Sequence, residues 1–122
     1  MIMRDHKIKK TDKPWGYEEL IEHNDKYVLK RLIMKKGHKC SIQYHKVKRE
    51  TIYIISGTLK IYIGEKIENL EEILMKSHDS LTLEPFKIHR MEGVEDCVYL
   101  EASTPELDDV VRLEDEYGRV NS

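Results

Sequence analysis

The sequence has no large excess of charge of either sign. Its 122 residues include 21 Lys and Arg against 23 Asp and Glu, which gives a net charge of −2. This balance argues against a nucleic-acid-binding protein, which would present a basic excess to the phosphates. No apolar run approaches the roughly 20 residues that a membrane-spanning helix requires, and the charged residues 1–12 lack the apolar stretch of a signal peptide. We therefore expect a cytoplasmic protein that binds neither nucleic acid nor membranes.

Cysteine is also scarce. Cys40 and Cys97 each occur singly inside an apolar segment, and no CxxC spacing is present. A disulfide framework or a thiolate metal site would need more cysteines at closer spacing. We expect both residues to be reduced thiols in the core.

Short β-strands account for most of the chain. Segments rich in β-branched, aromatic and Leu residues occur at 27–35, 50–55, 58–63, 80–84 and 97–102. The stretch 65–76 fits either a helical face or a strand, and we predict a strand preceded by a charged loop. Ser56-Gly57, between two apolar runs, predicts a hairpin. Short strands at this spacing indicate an all-β sandwich or barrel, which we expect to be a single domain over residues 1–122.

Four polar residues have the spacing of a metal site. Gln43 and His45 are two apart, so on a strand they project from one face, and Glu50 opens the next strand after a turn. His89 lies in a second strand-like segment and is a candidate fourth ligand. Imidazole and carboxylate groups that converge suit one divalent ion per chain, with zinc expected first and Mn, Fe, Co and Ni as alternatives.

The same residues resemble the two motifs of the cupin superfamily. Gly37, Gln43, His45, Glu50 and Gly57 match the first motif, with Gln43 in place of its first histidine. The second motif is matched more loosely within 78–93, where His89 takes the position of its histidine. The resemblance implies a cupin fold, which is a jelly-roll barrel or double-stranded β-helix.

A closer resemblance extends over nearly the whole chain. Lys13-Pro14-Trp15-Gly16, the segment 41–45, Ser56-Gly57-Thr58, His89-Arg90 and the segment 111–119 are similar to the cupin domain of type II mannose-6-phosphate isomerases. The resemblance implies an aldose–ketose isomerase whose ligand is a sugar phosphate or a nucleotide sugar. Val47 departs from the subfamily, which usually has a further histidine there.

The resemblance also suggests residue roles and leaves alternatives. Glu101 is a candidate proton-transfer group if it faces inward, and Arg49, Arg90 or Arg119 are candidates for holding a phosphate. One alternative is a non-catalytic sugar-binding cupin, which the change at Val47 favours. The other is an Fe-dependent cupin dioxygenase, which Gln43 disfavours.

Several further features have two interpretations. Lys46, Lys48 and Arg49 form either a solvated turn or an anion-binding group. Trp15 either caps the open end of the barrel, which we favour, or covers a substrate cleft. Tyr53, Ile55, Tyr62 and Tyr99 give strands with apolar residues on both faces. Such a patch marks an interface, and we expect a homodimer.

Overall fold

The computed structural model describes residues 7–118, and these form eleven strands. In chain order the strands are β1 Lys9–Lys13, β2 Gly16–His23, β3 Val28–Met34, β4 Ile42–Tyr44, β5 Glu50–Ser56, β6 Leu59–Gly64, β7 Glu71–Met75, β8 Ser80–Leu83, β9 Ile88–Gly93, β10 Cys97–Ser103 and β11 Val111–Glu114. Within the described range, no helix is long and apolar enough to cross a membrane.

The strands form two antiparallel sheets. One sheet has the order β1-β2-β3-β10-β5-β8, and the other has the order β11-β4-β9-β6-β7. Strands adjacent in space are mostly distant in sequence, as in the pairing of β10 with both β3 and β5. The two inner faces enclose an apolar core, and the predicted all-β architecture is confirmed.

Strand β5 illustrates how the sequence pattern builds the interior. Glu50, Ile52 and Ile54 are buried, whereas the residue that follows each of them, Thr51, Tyr53 and Ile55, is exposed. This alternation is what a strand with one face on the core requires. The carboxylate of Glu50 therefore lies on the same inward face of β5 as the core residues Ile52 and Ile54.

Most strand predictions agree with the structure. The five predicted segments correspond to β3, β5, β6, β8 and β10, and the stretch 65–76 is a loop followed by β7. Cys40 and Cys97 are both buried and form no disulfide. Strands β1 and β2 were not predicted, because β1 consists of polar residues and is almost wholly exposed, and β2 interrupts its apolar residues with three glutamates.

The hairpin predicted at Ser56-Gly57 is wrong. Strand β5 pairs with β8 and β10, whereas β6 pairs with β7 and β9 in the other sheet. Gly57 has a φ of +81°, and a Cβ there would lie 2.1 Å from the Asp96 carbonyl oxygen. Glycine is needed for a tight turn that carries the chain between the sheets.

The predicted apolar patch also needs correction. Tyr99 is buried in the core and faces inward. Tyr62 lies on the other sheet, where its hydroxyl donates a hydrogen bond to the Glu92 carboxylate at 2.5 Å. Tyr53 and Ile55 alone stay together on one outer face, with 39% and 40% of their surfaces exposed.

Candidate metal centre

Three side chains from three different segments converge inside the barrel. His45 immediately follows β4, Glu50 opens β5, and His89 lies in β9. All three are buried, with His89 completely enclosed. One ligand-capable atom from each lies within 4.8 Å of the others. The structure thus brings together three of the four predicted metal ligands.

The distances among these atoms match a shared cation. Oε1 of Glu50 is 3.1 Å from Nε2 of His45 and 3.5 Å from Nε2 of His89. Ligands about 2.1 Å from a tetrahedral ion lie about 3.4 Å apart. The two imidazole centroids are 5.1 Å apart and the rings are tilted by 48°, so both nitrogens can face one point.

Backbone carbonyls fix the tautomers of both histidines. Nδ1 of His45 lies 2.5 Å from the Asp109 carbonyl oxygen, and Nδ1 of His89 lies 2.9 Å from that of Lys87. A carbonyl only accepts hydrogen bonds, so each Nδ1 carries the proton and donates it. With Nδ1 of each ring bound in this way, Nε2 is the ring atom that faces the interior, which is how metal-binding histidines are oriented.

Burial and charge set the ionisation of the centre. Burial opposes the charged form of Glu50, but a hydrogen bond from His45 and the Lys48 ammonium outweigh it and lower its pKa to about 2. Burial lowers the pKa of His89, although the Glu50 carboxylate partly opposes this effect. At neutral pH the cluster offers a carboxylate and a neutral imidazole.

These residues fit a divalent metal ion. Nε2 of His89 is buried and has no hydrogen-bond partner, and Oε2 of Glu50 has no partner beyond its 3.4 Å ion pair with Lys48. Buried acceptors without donors are costly, and a cation bound between them would remove that cost. The donor set of two imidazoles and one carboxylate suits zinc and the neighbouring transition metals.

Gln43 lies beside this cluster. In the register of β4 and β9 it faces His89, and it lines the same cavity as His45 and Glu50. Its side-chain oxygen accepts a 2.6 Å hydrogen bond from the Ser41 hydroxyl. Metal ligation by Gln43 stays a prediction.

A buried ion pair borders the metal centre. Nζ of Lys48 lies 3.3 Å from Oε1 of Glu101 and 3.4 Å from Oε2 of Glu50. Lys48 and Glu101 are only 5% and 8% exposed, and both line the cavity. Glu101 therefore faces inward, and Lys48 belongs neither to a solvated turn nor to the outer surface.

The arginines named from the sequence lie elsewhere. Arg49 is exposed and pairs with Glu84 at 2.9 Å. Arg90 is buried, but its Nε donates to the Cys40 carbonyl and its guanidinium lies 3.6 Å from Glu116. Neither lines the cavity: Arg90 follows the inward-facing His89 on β9 and points to the opposite face of that strand, and Arg49 lies just before Glu50, where β5 begins. Arg119 lies outside the described residues.

Trp15 and Val47 differ from expectation in opposite ways. Trp15 is buried and lines the cavity, so it takes the cleft position rather than only capping the barrel. Val47 is 64% exposed and does not line the cavity. The departure from the subfamily at Val47 therefore leaves the cavity wall intact.

Asp109 is a site residue that the sequence interpretation missed. Its carboxylate accepts hydrogen bonds from the backbone N–H groups of Lys46, Val47 and Lys48 at 2.7–3.0 Å. Burial opposes its charge, but these three donors prevail and lower the pKa of Asp109. With its own carbonyl on His45, Asp109 fastens the turn that delivers both His45 and Lys48. A lone acid in an acidic segment gave no signal for this role.

The sequence matches the family described as mannose-6-phosphate isomerase C-terminal over residues 3–115. The mannose-1-phosphate guanylyltransferase ManC of Salmonella typhimurium is 30% identical over 94% of this chain, which corresponds to 24% of that protein. The xanthan biosynthesis protein XanB of Xanthomonas campestris is also 30% identical, over 91% of this chain. The chain spans about a quarter of the length of these relatives, 24% in both cases.

Solved structures share the fold. The capsular polysaccharide assembling protein CapF of Staphylococcus aureus superposes with a TM-score of 0.76 at 18% identity, over 88% of this chain and 34% of CapF. An RmlC-like cupin from Shewanella frigidimarina gives a TM-score of 0.72 at 11% identity, over 87% of this chain and 91% of that cupin. The predicted cupin fold is confirmed.

Proposed function

The chain belongs to the mannose-6-phosphate isomerase C-terminal family, and we propose that it is a metal-dependent isomerase that interconverts an aldose phosphate and a ketose phosphate. The observation that supports this most is the adjacency of two groups in one cavity. The cluster of His45, Glu50 and His89 fits a divalent ion, and the buried carboxylate of Glu101 lies beside it through Lys48.

The proposed chemistry needs two functions from this cavity. A divalent ion held by His45, Glu50 and His89 would supply Lewis acidity toward the oxygens on C1 and C2 of the sugar. Glu101 would take the proton from C2 of the aldose and return it to C1, while the hydroxyl proton moves from O2 to O1. Lys48 would hold Glu101 as a carboxylate and keep it oriented.

The cavity wall suits such a ligand in other respects. Trp15, Leu32 and Met91 provide apolar surface, and Gln43 provides a hydrogen-bonding amide. Apolar surface together with polar groups that fix the orientation of the ligand is usual for small-molecule sites. The relatives named as a mannose-1-phosphate guanylyltransferase and as a xanthan biosynthesis protein support a sugar phosphate as the ligand class.

The test is conversion of mannose 6-phosphate, followed by NMR in D2O with the protein loaded with Zn, Mn, Fe, Co or Ni in turn. We expect formation of the ketose, with deuterium entering the sugar whenever exchange with solvent competes with transfer to C1. Glu101→Gln should keep the metal and lose turnover, and Glu84→Gln, which changes an exposed acid, should behave as wild type.

The two alternatives have their own outcomes in the same samples. Binding of the sugar without conversion would overturn the isomerase and favour the sugar-binding cupin. Oxygen consumption only with Fe would favour the dioxygenase. Full activity in Glu101→Gln would remove Glu101 from the mechanism while leaving the isomerase in place.

A further inference from the structure

The cavity beside the metal centre carries more positive charge than its acids balance. Four cations and three carboxylates line it, namely Lys13, Lys30, Lys48 and Arg112, and Glu18, Glu50 and Glu101. The bound metal proposed above would add two further positive charges. A cavity of this kind within a protein of net charge −2 concentrates anions.

Each lysine of the cavity already has a carboxylate partner. Lys13 and Lys30 lie 3.1 Å and 2.7 Å from the two oxygens of Glu18. Lys48 is held between Glu50 and Glu101. Binding a ligand anion at any of these lysines would compete with an existing ion pair.

Arg112 differs from the lysines. Among residues 7–118, no carboxylate lies within ion-pair distance of its guanidinium, and its Nε is buried without a hydrogen-bond partner. A buried donor of this kind carries a desolvation cost that an incoming acceptor would remove. Arg112 is thus the cation of the cavity that is available to a ligand.

The sheet register places Arg112 near the metal centre. Arg112 on β11 faces Gln43 on β4, and Gln43 in turn faces His89 on β9. Residues directly opposite one another project from the same side of a sheet. Two strand spacings, about 10 Å, separate Arg112 from His89, so one small ligand can contact both ends of this row.

From this placement we infer that Arg112 binds the phosphate group of the ligand. The planar guanidinium donates paired N–H groups that match two phosphate oxygens. The assignment rests on the proposed function for the sugar part of the ligand, whereas the preference for a phosphate follows from the unbalanced charge alone. Arg112 thus takes the phosphate-binding role for which the sequence suggested Arg49 and Arg90, which face away from the cavity.

Binding can be measured without turnover, because Trp15 is the single tryptophan of the sequence and lines the cavity. Its fluorescence is titrated with mannose 6-phosphate, mannose and inorganic phosphate, using metal-loaded and metal-free protein. Wild type should bind mannose 6-phosphate at least about tenfold more tightly than mannose, since a charged hydrogen-bonded pair contributes that much. Inorganic phosphate should compete.

Arg112→Gln should abolish this preference for the phosphorylated sugar while mannose affinity and metal content stay unchanged. Arg112→Lys keeps the charge but loses the paired donors, so its preference for the phosphorylated sugar should lie between those of wild type and Arg112→Gln. It replaces Arg112→Gln in the test if the glutamine variant does not fold. The control Arg49→Gln, which changes an exposed arginine, should bind as wild type.

The inference and the proposed function can fail separately. Arg112 dependence of phosphate binding without any turnover would sustain the inference and defeat the isomerase. Turnover with unchanged mannose 6-phosphate affinity in Arg112→Gln would defeat the inference alone. A wild-type protein with no preference for phosphorylated sugar would also overturn the inference.

Discussion

Replacing Lys48 by methionine removes a buried ammonium that lies 3.3 Å from Glu101 and 3.4 Å from Glu50. Methionine has a similar length and no charge, so the change mainly deletes the ion pair. Loss of one member of a buried pair leaves the other as an uncompensated charge and costs about 3–5 kcal/mol. For a domain of this size we expect the free energy of unfolding to fall by about 3 kcal/mol and the melting temperature by about 10 °C.

A double-mutant cycle isolates the pair itself. Glu101→Gln alone should cost less, because Lys48 keeps Glu50 as a partner. The double variant Lys48→Met, Glu101→Gln should be more stable than the sum of the single losses by about 1–3 kcal/mol. Urea unfolding of metal-free protein, followed by Trp15 fluorescence, gives all four free energies.

Lys46 provides the matched control. It lies in the same turn and is exposed, so Lys46→Met should change the free energy of unfolding by no more than about 0.5 kcal/mol. A loss of stability in Lys48→Met as small as that in Lys46→Met would refute a stabilising role for the buried ammonium. A cycle with no coupling between Lys48 and Glu101 would refute it as well.

Three further predictions follow from other parts of the molecule. The metal-free protein should lose stability as the pH falls below about 6.5, because burial lowers the pKa of His89 in the folded state and the unfolded chain binds the proton first. Glu50 should add a loss of about 3 kcal/mol between its unfolded pKa of 4.5 and its folded pKa of about 2. A free energy of unfolding, measured with urea, that stays constant over this pH range would contradict both pKa shifts. Asp109→Ala should weaken zinc binding about 10-fold, measured by competition with a chelator, because the turn that carries His45 loses three hydrogen bonds; an unchanged affinity would show that the turn holds by itself. The protein should be a dimer by light scattering at tens of micromolar, an order-of-magnitude range for modest interfaces, and Tyr53→Lys should yield a monomer; a wild-type monomer would refute this.

The fold and the convergence of the candidate metal ligands were predictable because most of their signals are local. Alternating apolar residues defined β5 in advance, and the spacing of His45 and Glu50 places two ligands on either side of one turn. His89 was a candidate only as a histidine in a second strand-like segment, and the resemblance to the second cupin motif supported it, since no local pattern links it to the first segment.

The surroundings of the metal centre were not predictable from such signals. Lys46 and Lys48 look alike in the sequence, yet only Lys48 is buried. The difference arises from Asp109, about 60 residues further along the chain, which fixes the turn through three backbone hydrogen bonds. The direction in which a side chain points at a turn depends on such distant contacts, whereas along a strand it follows from the alternation of successive residues.

The hairpin predicted at Ser56-Gly57 was wrong, and the position of Arg112 was not predicted, for a related reason. Glycine predicts a turn but not whether the next strand joins the same sheet, and β5 and β6 join different sheets. Arg112 lies in the segment 111–119, which has no local signal for a position in the cavity wall. Only the pairing of β11 with β4 shows that Arg112 shares a row with Gln43.

The central claim is that His45, Glu50 and His89 hold one divalent ion, and metal stoichiometry by native mass spectrometry tests it most directly. After reconstitution with zinc, the wild type should carry close to one ion per chain. The variants His45→Ala and His89→Ala should carry none while their circular dichroism stays that of a folded β protein, and His38→Ala, which changes an exposed histidine, should retain the ion. A wild-type protein that stays empty with zinc and with Mn, Fe, Co and Ni would contradict the account.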